Sequence, residues 1–466
     1  MKVLFPFSKL IHSQSNITLQ QANVLPGPPV LIPEFHWELP RVNLYGSVMK
    51  TTKGYEMYYQ CGNAMRVAFA RSDDGLRWEK PLVNRADFTV QAHQVVQANT
   101  TVDSTGAPDI SSESGEWTNL VAGYHMPSVI WDEGASYPYK LFAFGEEGFR
   151  ISRSEDGVNF HEYDENPAIA YLTYKNPTTE KNWFSDVAPC YKDGEKYIAM
   201  VKTYELDERG ITRRCVGRAI SEDFVHWGPV ETIWVPGLEE DRLAQHRGFQ
   251  WADFYGLCPF AYGDGYLGFL WLFEIEKELP KGTNQGKIEV FLAKSQDGIQ
   301  WSRVSDVPLI PWDLNYSHLG GMVTTPGAPI FDEKDIKLYY SDNNYEHGMF
   351  ERDYTKEVDA PTWVIRCATL KKERLVGAYS QNGYFSLCPL SFSGKGIRLN
   401  YQTLVNADLS GEITLRWCSE DGVELGRQVV SGDETDLLIT PNYDGMAVLE
   451  LHLREAIAYA VELVEA

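Results

Sequence analysis

Acidic and aromatic side chains stand together at three places where the chain enters a short segment of small residues. These are Trp37 with Glu38, Trp183 with Asp186, and Trp251 with Asp253. Two carboxyl groups can protonate one side of a glycosidic bond and attack, or activate water, on the other side. Indole rings offer flat apolar faces on which sugar rings stack. We therefore take the three acids as candidate catalytic residues and the three tryptophans as candidate sugar-binding residues.

Further polar residues near these segments could bind a substrate: Arg41, His125, Arg247, Gln250, Glu274 and His318. A guanidinium offers parallel donors that hold a carboxylate or grip an acidic sugar, and a histidine can bind hydroxyl groups. Each of these candidate residues could instead have a purely structural role. An aspartate at the start of a strand can cap a turn, an arginine can form a salt bridge between sheets, and a tryptophan can fill the space between them.

The elements that position these residues are indicated by a seven-residue motif close to Ser-x-Asp-Gly-x-x-Trp. Its four copies begin at Ser72, Ser154, Ser221 and Ser295, so one supersecondary unit recurs about every seventy residues. The Asp-Gly pair is typical of a tight turn between two strands. In the third copy Phe224 replaces the glycine, so that turn could differ. The acids of the motif are expected to be structural.

Each unit contains a small-residue strand, an aromatic-rich strand, a strand before the motif and a strand after it. A fifth unit, around residues 336–340, lacks a clean motif, and residues 364–369 supply its degenerate partner. Four strands repeated five times predict a five-bladed β-propeller over residues 1–373, with the small-residue strands nearest the axis. The pattern changes near Arg374, and the alternating strands of residues 374–466 predict a small antiparallel β-sandwich.

Composition excludes several function classes. The formal net charge of -23 over 466 residues disfavours nucleic acid and anionic membrane surfaces as partners, and no apolar stretch is long enough to span a membrane. Seven cysteines without C-x-x-C spacing predict neither disulfides nor a zinc site. We expect a cytoplasmic protein, or a secreted one if a signal peptide has been removed. No cofactor motif is present, and an axial calcium ion is left open.

The five units, the corner motif and the C-terminal sandwich together resemble the five-bladed propeller glycoside hydrolases. These are the fructan-cleaving family 32 and the arabinan- and xylan-cleaving family 43, and the chain is most similar to bacterial family-32-like glycosidases of undefined substrate. The resemblance implies that catalytic carboxylates stand where innermost strands begin, typically in blades one, three and four. Glu38, Asp186 and Asp253 occupy those positions.

The chain departs from family 32 at the residues that carry its chemistry. Motifs similar to W-x-N-D-P-N-G, R-D-P and E-C are absent from this sequence, so no catalytic role is transferred residue by residue. Two main hypotheses remain: a glycoside hydrolase acting on an oligo- or polysaccharide, and a non-catalytic carbohydrate-binding propeller. A scaffold that binds protein on its rim is a third. The sequence leaves the sugar, the linkage, the role of each acid and the oligomeric state undetermined.

Overall fold

The computed structural model is built almost entirely of antiparallel β-strands. It describes residues 1–39, 41–62, 65–86, 88, 115–145, 147–175, 182–279, 284–312, 321–343, 346–348, 363–406, 409–441 and 443–465. Among these, helical structure is confined to the α-helix Leu238–His246 and the 3-10 turn His36–Glu38. The predicted all-β class is confirmed. No helix in the described part of the chain has the length and apolar character needed to cross a membrane.

Five antiparallel sheets follow one another along the first 371 residues. The first contains Val42–Thr51, Gly54–Cys61, Arg66–Ser72 and Leu120–Ala122, and the second contains His125–Trp131, Tyr139–Gly145, Gly148–Ser154, His161–Glu162 and Ile169–Ala170. The third contains Cys190–Asp193, Lys196–Ala199, Thr212–Ser221, Lys202–Leu206 and Glu231–Trp234, and the fourth contains Trp251–Tyr262, Gly265–Glu278, Asn284–Ser295 and Ser302–Arg303.

The fifth sheet combines distant parts of the chain. Its strands are Ile330–Phe331, Asp335–Asn343, Trp363–Lys371 and, from the N-terminal region, Pro29–Leu31. Three two-stranded ribbons complete the described strands outside the large sheets: Asn84–Ala86 with Glu116–Thr118, Thr173–Lys175 with Asn182–Phe184, and Val405–Asn406 with Leu409–Ser410.

Side-chain hydrogen bonds connect each of the five sheets to the next and the fifth to the first. The pairs are Ser47 with Val129, Ser128 with Cys190, Asp193 with Tyr266, Trp271 with Thr325 just before the fifth sheet, and Ser341 with Leu44. Four of the five pairs use a small hydroxyl side chain, that of Ser47, Ser128, Thr325 or Ser341, and the other joins Asp193 to the Tyr266 hydroxyl. The five sheets are therefore linked in one series.

The repeated motif forms the same turn in all four copies. In the first copy, the Asp74 carboxylate accepts hydrogen bonds from the backbone N–H groups of Leu76 and Arg77, each at 2.8 Å. The acids Asp156, Asp223 and Asp297 make the equivalent pairs of bonds. Phe224 adopts a φ of 72°, close to the 75° of Gly75. The buried Phe224 ring, 5.1 Å from that of Tyr197, helps to stabilise a conformation that favours glycine.

Two six-stranded sheets form the C-terminal part. One contains Lys2–Leu4, Thr18–Gln21, Val376–Ser380, Lys395–Thr403, Asp433–Ile439 and Ala456–Glu465, and the other contains Ile11–Ser15, Gly383–Leu387, Leu390–Ser391, Glu412–Cys418, Glu424–Val430 and Met446–Arg454. Alternate residues of Met446–Arg454 are buried, as expected when one face of a strand packs on a core. Inward-facing residues of both sheets, including Leu399 and Trp417, belong to one apolar cluster.

The N-terminal strands revise the boundary drawn from the sequence, which assigned residues 1–373 to one unit. Lys2–Leu4 pairs with Ala456–Glu465, Ile11–Ser15 with Gly383–Leu387, and Thr18–Gln21 with Val376–Ser380. The first 21 residues thus belong with the C-terminal sheets. Strand pairing between opposite ends of a chain leaves no local pattern, so the sequence did not indicate this arrangement.

Candidate active site

Asp186 lies where the chain enters the third sheet, four residues before the strand Cys190–Asp193. Lys202 donates a hydrogen bond to its Oδ1 atom, and Nε2 of His125 lies 3.8 Å from its Oδ2 atom. The other ring nitrogen of His125 is 2.6 Å from Nε2 of Gln60. The Asp186 side chain remains 27% exposed, whereas that of Lys202 is 5% exposed. One carboxylate is thus held firmly and still reaches solvent.

Asp186 and Lys202 each stabilise the charged form of the other. Burial acts to raise the pKa of Asp186, but Lys202 and then His125 outweigh burial and leave that pKa below its ordinary value. Burial acts to lower the pKa of Lys202, and the Asp186 carboxylate outweighs it, so the lysine pKa is raised. Both groups are therefore ionised at neutral pH.

Aromatic rings surround the pair. The Lys202 ammonium lies 5.2 Å from the ring centre of Tyr255 and 5.8 Å from that of Tyr204. The Tyr45 ring is 6.3 Å from the ring of His125 and 5.7 Å from that of Trp271. Burial raises the pKa of Tyr45 and Tyr255, which keeps their hydroxyl groups neutral. A small adjacent cavity is lined by Tyr45, Gly46, Met126, Ser128, Val187, Ala188, Pro189, Cys258, Trp271, Thr325 and Gly327.

Arg41 belongs to the edge of this region. Its Nε atom donates to the Gly62 carbonyl at 3.1 Å, and its guanidinium lies 4.9 Å from the ring centre of Trp363. Burial lowers the Arg41 pKa, and the nearby Tyr45 and Tyr255 partly oppose that change. Arg41 therefore lies beside the tyrosines of the Asp186 region and contacts the Gly62 carbonyl and the Trp363 ring.

Asp253, the second predicted acid, lies in a buried ion-pair network. Arg213 Nε donates to Oδ1 at 3.0 Å, and Arg214 Nη1 donates to Oδ2 at 3.1 Å. Arg213 also binds Asp241 and Asp207. Burial raises the Asp253 pKa despite the two arginines, and the side chain has no exposed surface. These contacts are those of a buried structural ion pair, so Asp253 is not supported as a catalytic acid.

Glu38, the third predicted acid, caps its own turn. Its carboxylate accepts hydrogen bonds from the backbone N–H groups of Glu34 and Phe35, from Lys80 at 2.9 Å and from the Tyr59 hydroxyl at 2.5 Å. The residue is fully buried. A carboxylate whose oxygens are occupied in this way cannot approach a substrate, and we withdraw Glu38 from the catalytic candidates.

The predicted sugar-binding tryptophans have other roles or undescribed side chains. Trp37 is buried, stacks on Phe35 at 4.4 Å and donates from Nε1 to Asn119 at 2.9 Å, so its face is not available to a sugar. Trp251 packs partly buried against the largest apolar cluster. The side chain of Trp183 lies outside the described part of the structure, as does His318. Gln250 is exposed, and its backbone N–H donates to the Ile275 carbonyl.

Glu274 and Arg247 meet a third residue that the sequence did not single out. Arg247 binds both oxygens of Glu289, and its Nη1 atom lies 3.1 Å from Oε1 of Glu274. That contact is poorly aligned, since neither Glu274 oxygen accepts a well-formed hydrogen bond from the described residues. Burial and the Glu289 charge raise the pKa of Glu274 to about 8. Both carboxyl groups are fully buried, so substrate does not reach them.

The sequence also missed Lys202, although it left a signal. Lys202 follows the apolar run of residues 197–201 directly, and a charge at the end of a buried strand requires a partner. The described residues contain no group of three or more histidine, cysteine, aspartate or glutamate side chains that could hold an ion.

No protein-family model and no curated protein matches the chain. Solved structures of glycoside hydrolases do show similarity at low identity. A glycosyl hydrolase from Bacteroides ovatus is 13% identical over 76% of this chain and 95% of its own length, with a TM-score of 0.44. The α-L-arabinofuranosidase of Podospora anserina is 9% identical over 75% and 97%, with a TM-score of 0.42.

A fructofuranosidase from Schwanniomyces occidentalis aligns over a larger share of the chain. It is 9% identical over 96% of this chain and 99% of its own length, with a TM-score of 0.41. The chain is thus similar to solved glycoside hydrolases at low sequence identity.

Proposed function

We propose that the protein is a glycoside hydrolase in which Asp186 is a catalytic carboxylate. The observation that carries the proposal is the state of this residue. Asp186 is partly exposed, ionised, and held by Lys202 and His125 among tyrosine side chains. A fixed carboxylate can attack an anomeric carbon, activate a water molecule or stabilise the positive charge of the transition state.

In this proposal the five consecutive sheets are the blades of a five-bladed propeller. Hydrogen bonds link each sheet to the next and the fifth to the first. Pro29–Leu31 completes the fifth sheet, so the first and last parts of this region close one ring. Asp186 then lies at the mouth of the central channel, and the two C-terminal sheets form an accessory sandwich.

Hydrolysis needs a second carboxyl group, and Glu346 is our candidate. Nε2 of Gln285 donates to Glu346 at 2.7 Å and to Glu276 at 3.1 Å. Glu346 is partly buried, whereas Glu276 is exposed. The residue after Glu346 is His347, whose ring lies 5.4 Å from that of Tyr255. The Tyr255 ring also lies 5.2 Å from the Lys202 ammonium, so one ring contacts both the partner of Asp186 and the residue that follows Glu346.

A carbohydrate-binding protein without hydrolytic activity is the second candidate. A specific observation favours it, because two of the three acids expected at the mouth are buried and fully paired. Asp186 is itself in an ion pair with Lys202. A site of this kind would bind sugar hydroxyl groups through His125 and the tyrosines and leave the glycosidic bond intact.

A screen of aryl glycosides and of neutral oligosaccharides tests the proposal. The wild type is compared with Asp186→Asn and Glu346→Gln, and with Asp73→Asn as the control, since Asp73 is an exposed acid of the first turn motif. We expect hydrolysis by the wild type and the control, and a loss of about 100- to 10,000-fold in each site variant. Sugar binding without any hydrolysis favours the second candidate, and full activity of Asp186→Asn excludes our site.

A further inference from the structure

A groove of about 600 Å³ lies between residues 234–240, which begin at the end of the third sheet, and residues 301–306, which include the last strand of the fourth sheet. Its lining residues are Trp234, Val235, Gly237, Leu238, Glu239, Glu240, Trp301, Ser302, Arg303, Val304, Ser305 and Asp306. It shares no residue with the Asp186 site. Its volume is within the range of sites that bind small organic molecules.

Two buried donors line this groove without an acceptor. The Nε atom of Arg303 and the Nε1 atom of Trp301 have no hydrogen-bond partner among the described residues. Both side chains are more than nine-tenths buried. Trp78, at the same position of the first turn motif, also lacks an acceptor. The unpartnered indole of Trp301 is therefore shared with a motif copy outside the groove, and Arg303 is the more specific observation. Buried donors are normally satisfied, and both side chains belong to the lining of the groove.

The other groups in the groove indicate what kind of ligand would fit. Arg303 already binds Glu240 through Nη1 and Asp306 through Nη2, at 2.9 Å for the latter, so two carboxylates more than offset its single positive charge. Glu239 adds a further negative charge beside them. An anionic ligand is therefore disfavoured. The partly buried ring of Trp234 and the exposed side chain of Leu238 supply apolar surface next to these polar groups.

We propose that this groove is a second, non-catalytic binding site for a neutral carbohydrate. A hydroxyl oxygen would accept from the unpartnered N–H groups of Arg303 and Trp301. Other hydroxyl groups would donate to the carboxylates of Glu240 and Asp306. The Trp234 side chain would contact the apolar part of the ring. Such a site would keep the protein on a polysaccharide chain, and it does not depend on whether Asp186 is catalytic.

Affinity electrophoresis tests this inference with the full-length protein. Gels contain a neutral polysaccharide (arabinan, xylan, mannan or inulin) or the acidic polygalacturonate, and retardation gives the dissociation constant. Leu238→Lys places a charged chain over the mouth, and Trp234→Ala removes the apolar contact. Val423→Lys is the control, because Val423 is 58% exposed and Leu238 is 65% exposed. Asp186→Asn separates this site from the proposed active site.

We expect at least one neutral polysaccharide to retard the wild type, Val423→Lys and Asp186→Asn alike. Leu238→Lys and Trp234→Ala should each weaken that retardation at least tenfold. Because Leu238 is exposed, its variant reports on binding even if Trp234→Ala fails to fold. Retardation that persists in Leu238→Lys, retardation by polygalacturonate alone, or no retardation on any gel would each overturn the proposal. A groove used for a protein partner would give the last result.

Discussion

Lys202 and Asp186 form an ion pair in which only the acid has substantial contact with solvent. A buried ammonium group is costly unless a carboxylate neutralises it, so the lysine fixes both the position and the ionisation of Asp186. His125 approaches the second oxygen of the same carboxylate. The pair therefore links the stability of the third sheet to the chemistry proposed at its entrance.

Replacing Lys202 by methionine should move the pH dependence of catalysis. Lys202 lowers the Asp186 pKa, so its removal raises that pKa. The acidic limb of the kcat/KM profile should then lie at higher pH, because Asp186 becomes protonated sooner as the pH falls. Lys192→Met is the matched control, since Lys192 lies in the same sheet as Lys202 and pairs with another aspartate, Asp132. An acidic limb that does not move would show that Asp186 is not the titrating group.

Asp253→Asn should reduce stability more than it changes chemistry. The substitution leaves the charges of Arg213 and Arg214 without their shared buried carboxylate. Losing one partner of a buried ion pair costs about 3–5 kcal/mol. Urea denaturation measures this loss, with exposed Asp73→Asn as the control. A variant of normal stability that lacks activity would instead restore Asp253 as a catalytic acid.

Stability should fall as the pH rises from about 5 to 8, partly because of Glu274. Its pKa is raised to about 8 in the folded protein, whereas an unfolded glutamate titrates near about 4.3. The folded state binds the extra proton between these values, so the unfolding free energy decreases with increasing pH, by at most about 1.4 kcal/mol per pH unit. Thermal melting across this range measures the slope.

Glu274→Gln should reduce that slope and raise the melting temperature at pH 8. A glutamine carries no charge, so the repulsion from Glu289 and the penalty of burying an ionised group both disappear. Glu276→Gln, two residues along the same strand and exposed, should leave the slope unchanged. Equal slopes in the wild type and Glu274→Gln would mean that Glu274 keeps an ordinary pKa.

Deleting residues 1–22 should destabilise the C-terminal sheets, although the deletion is far from them in sequence. Strands within this segment pair with both sheets, and their loss exposes unpaired edges and apolar core residues. Limited proteolysis should cut the deletion variant within residues 374–466 at protease concentrations that leave the full chain intact. Equal resistance of the two proteins would argue against a structural role for this segment.

The sequence predicted the repeating sheets well because their signals are local. The turn motif contains its own hydrogen-bond donors and acceptors, so Asp74 binds N–H groups two and three residues away. Alternating apolar residues likewise indicated the strands beyond Arg374. The structural role of Glu38 was harder to predict, because its carboxylate binds Lys80 and Tyr59 as well as its own turn. Only the fold brings these partners together.

The sequence by itself determined the all-β class, the repeated turns and the identity of Asp186 as a candidate acid. Tertiary structure alone decided which acids reach solvent. Asp186 and Asp253 both occur beside small-residue strands, yet one is partly exposed and the other is enclosed by two arginines. The difference depends on side chains that arrive from other strands and set the burial and charge around each carboxyl group. Those distant neighbours determine whether an acid is ionised and whether it contacts solvent. A local sequence pattern does not include them.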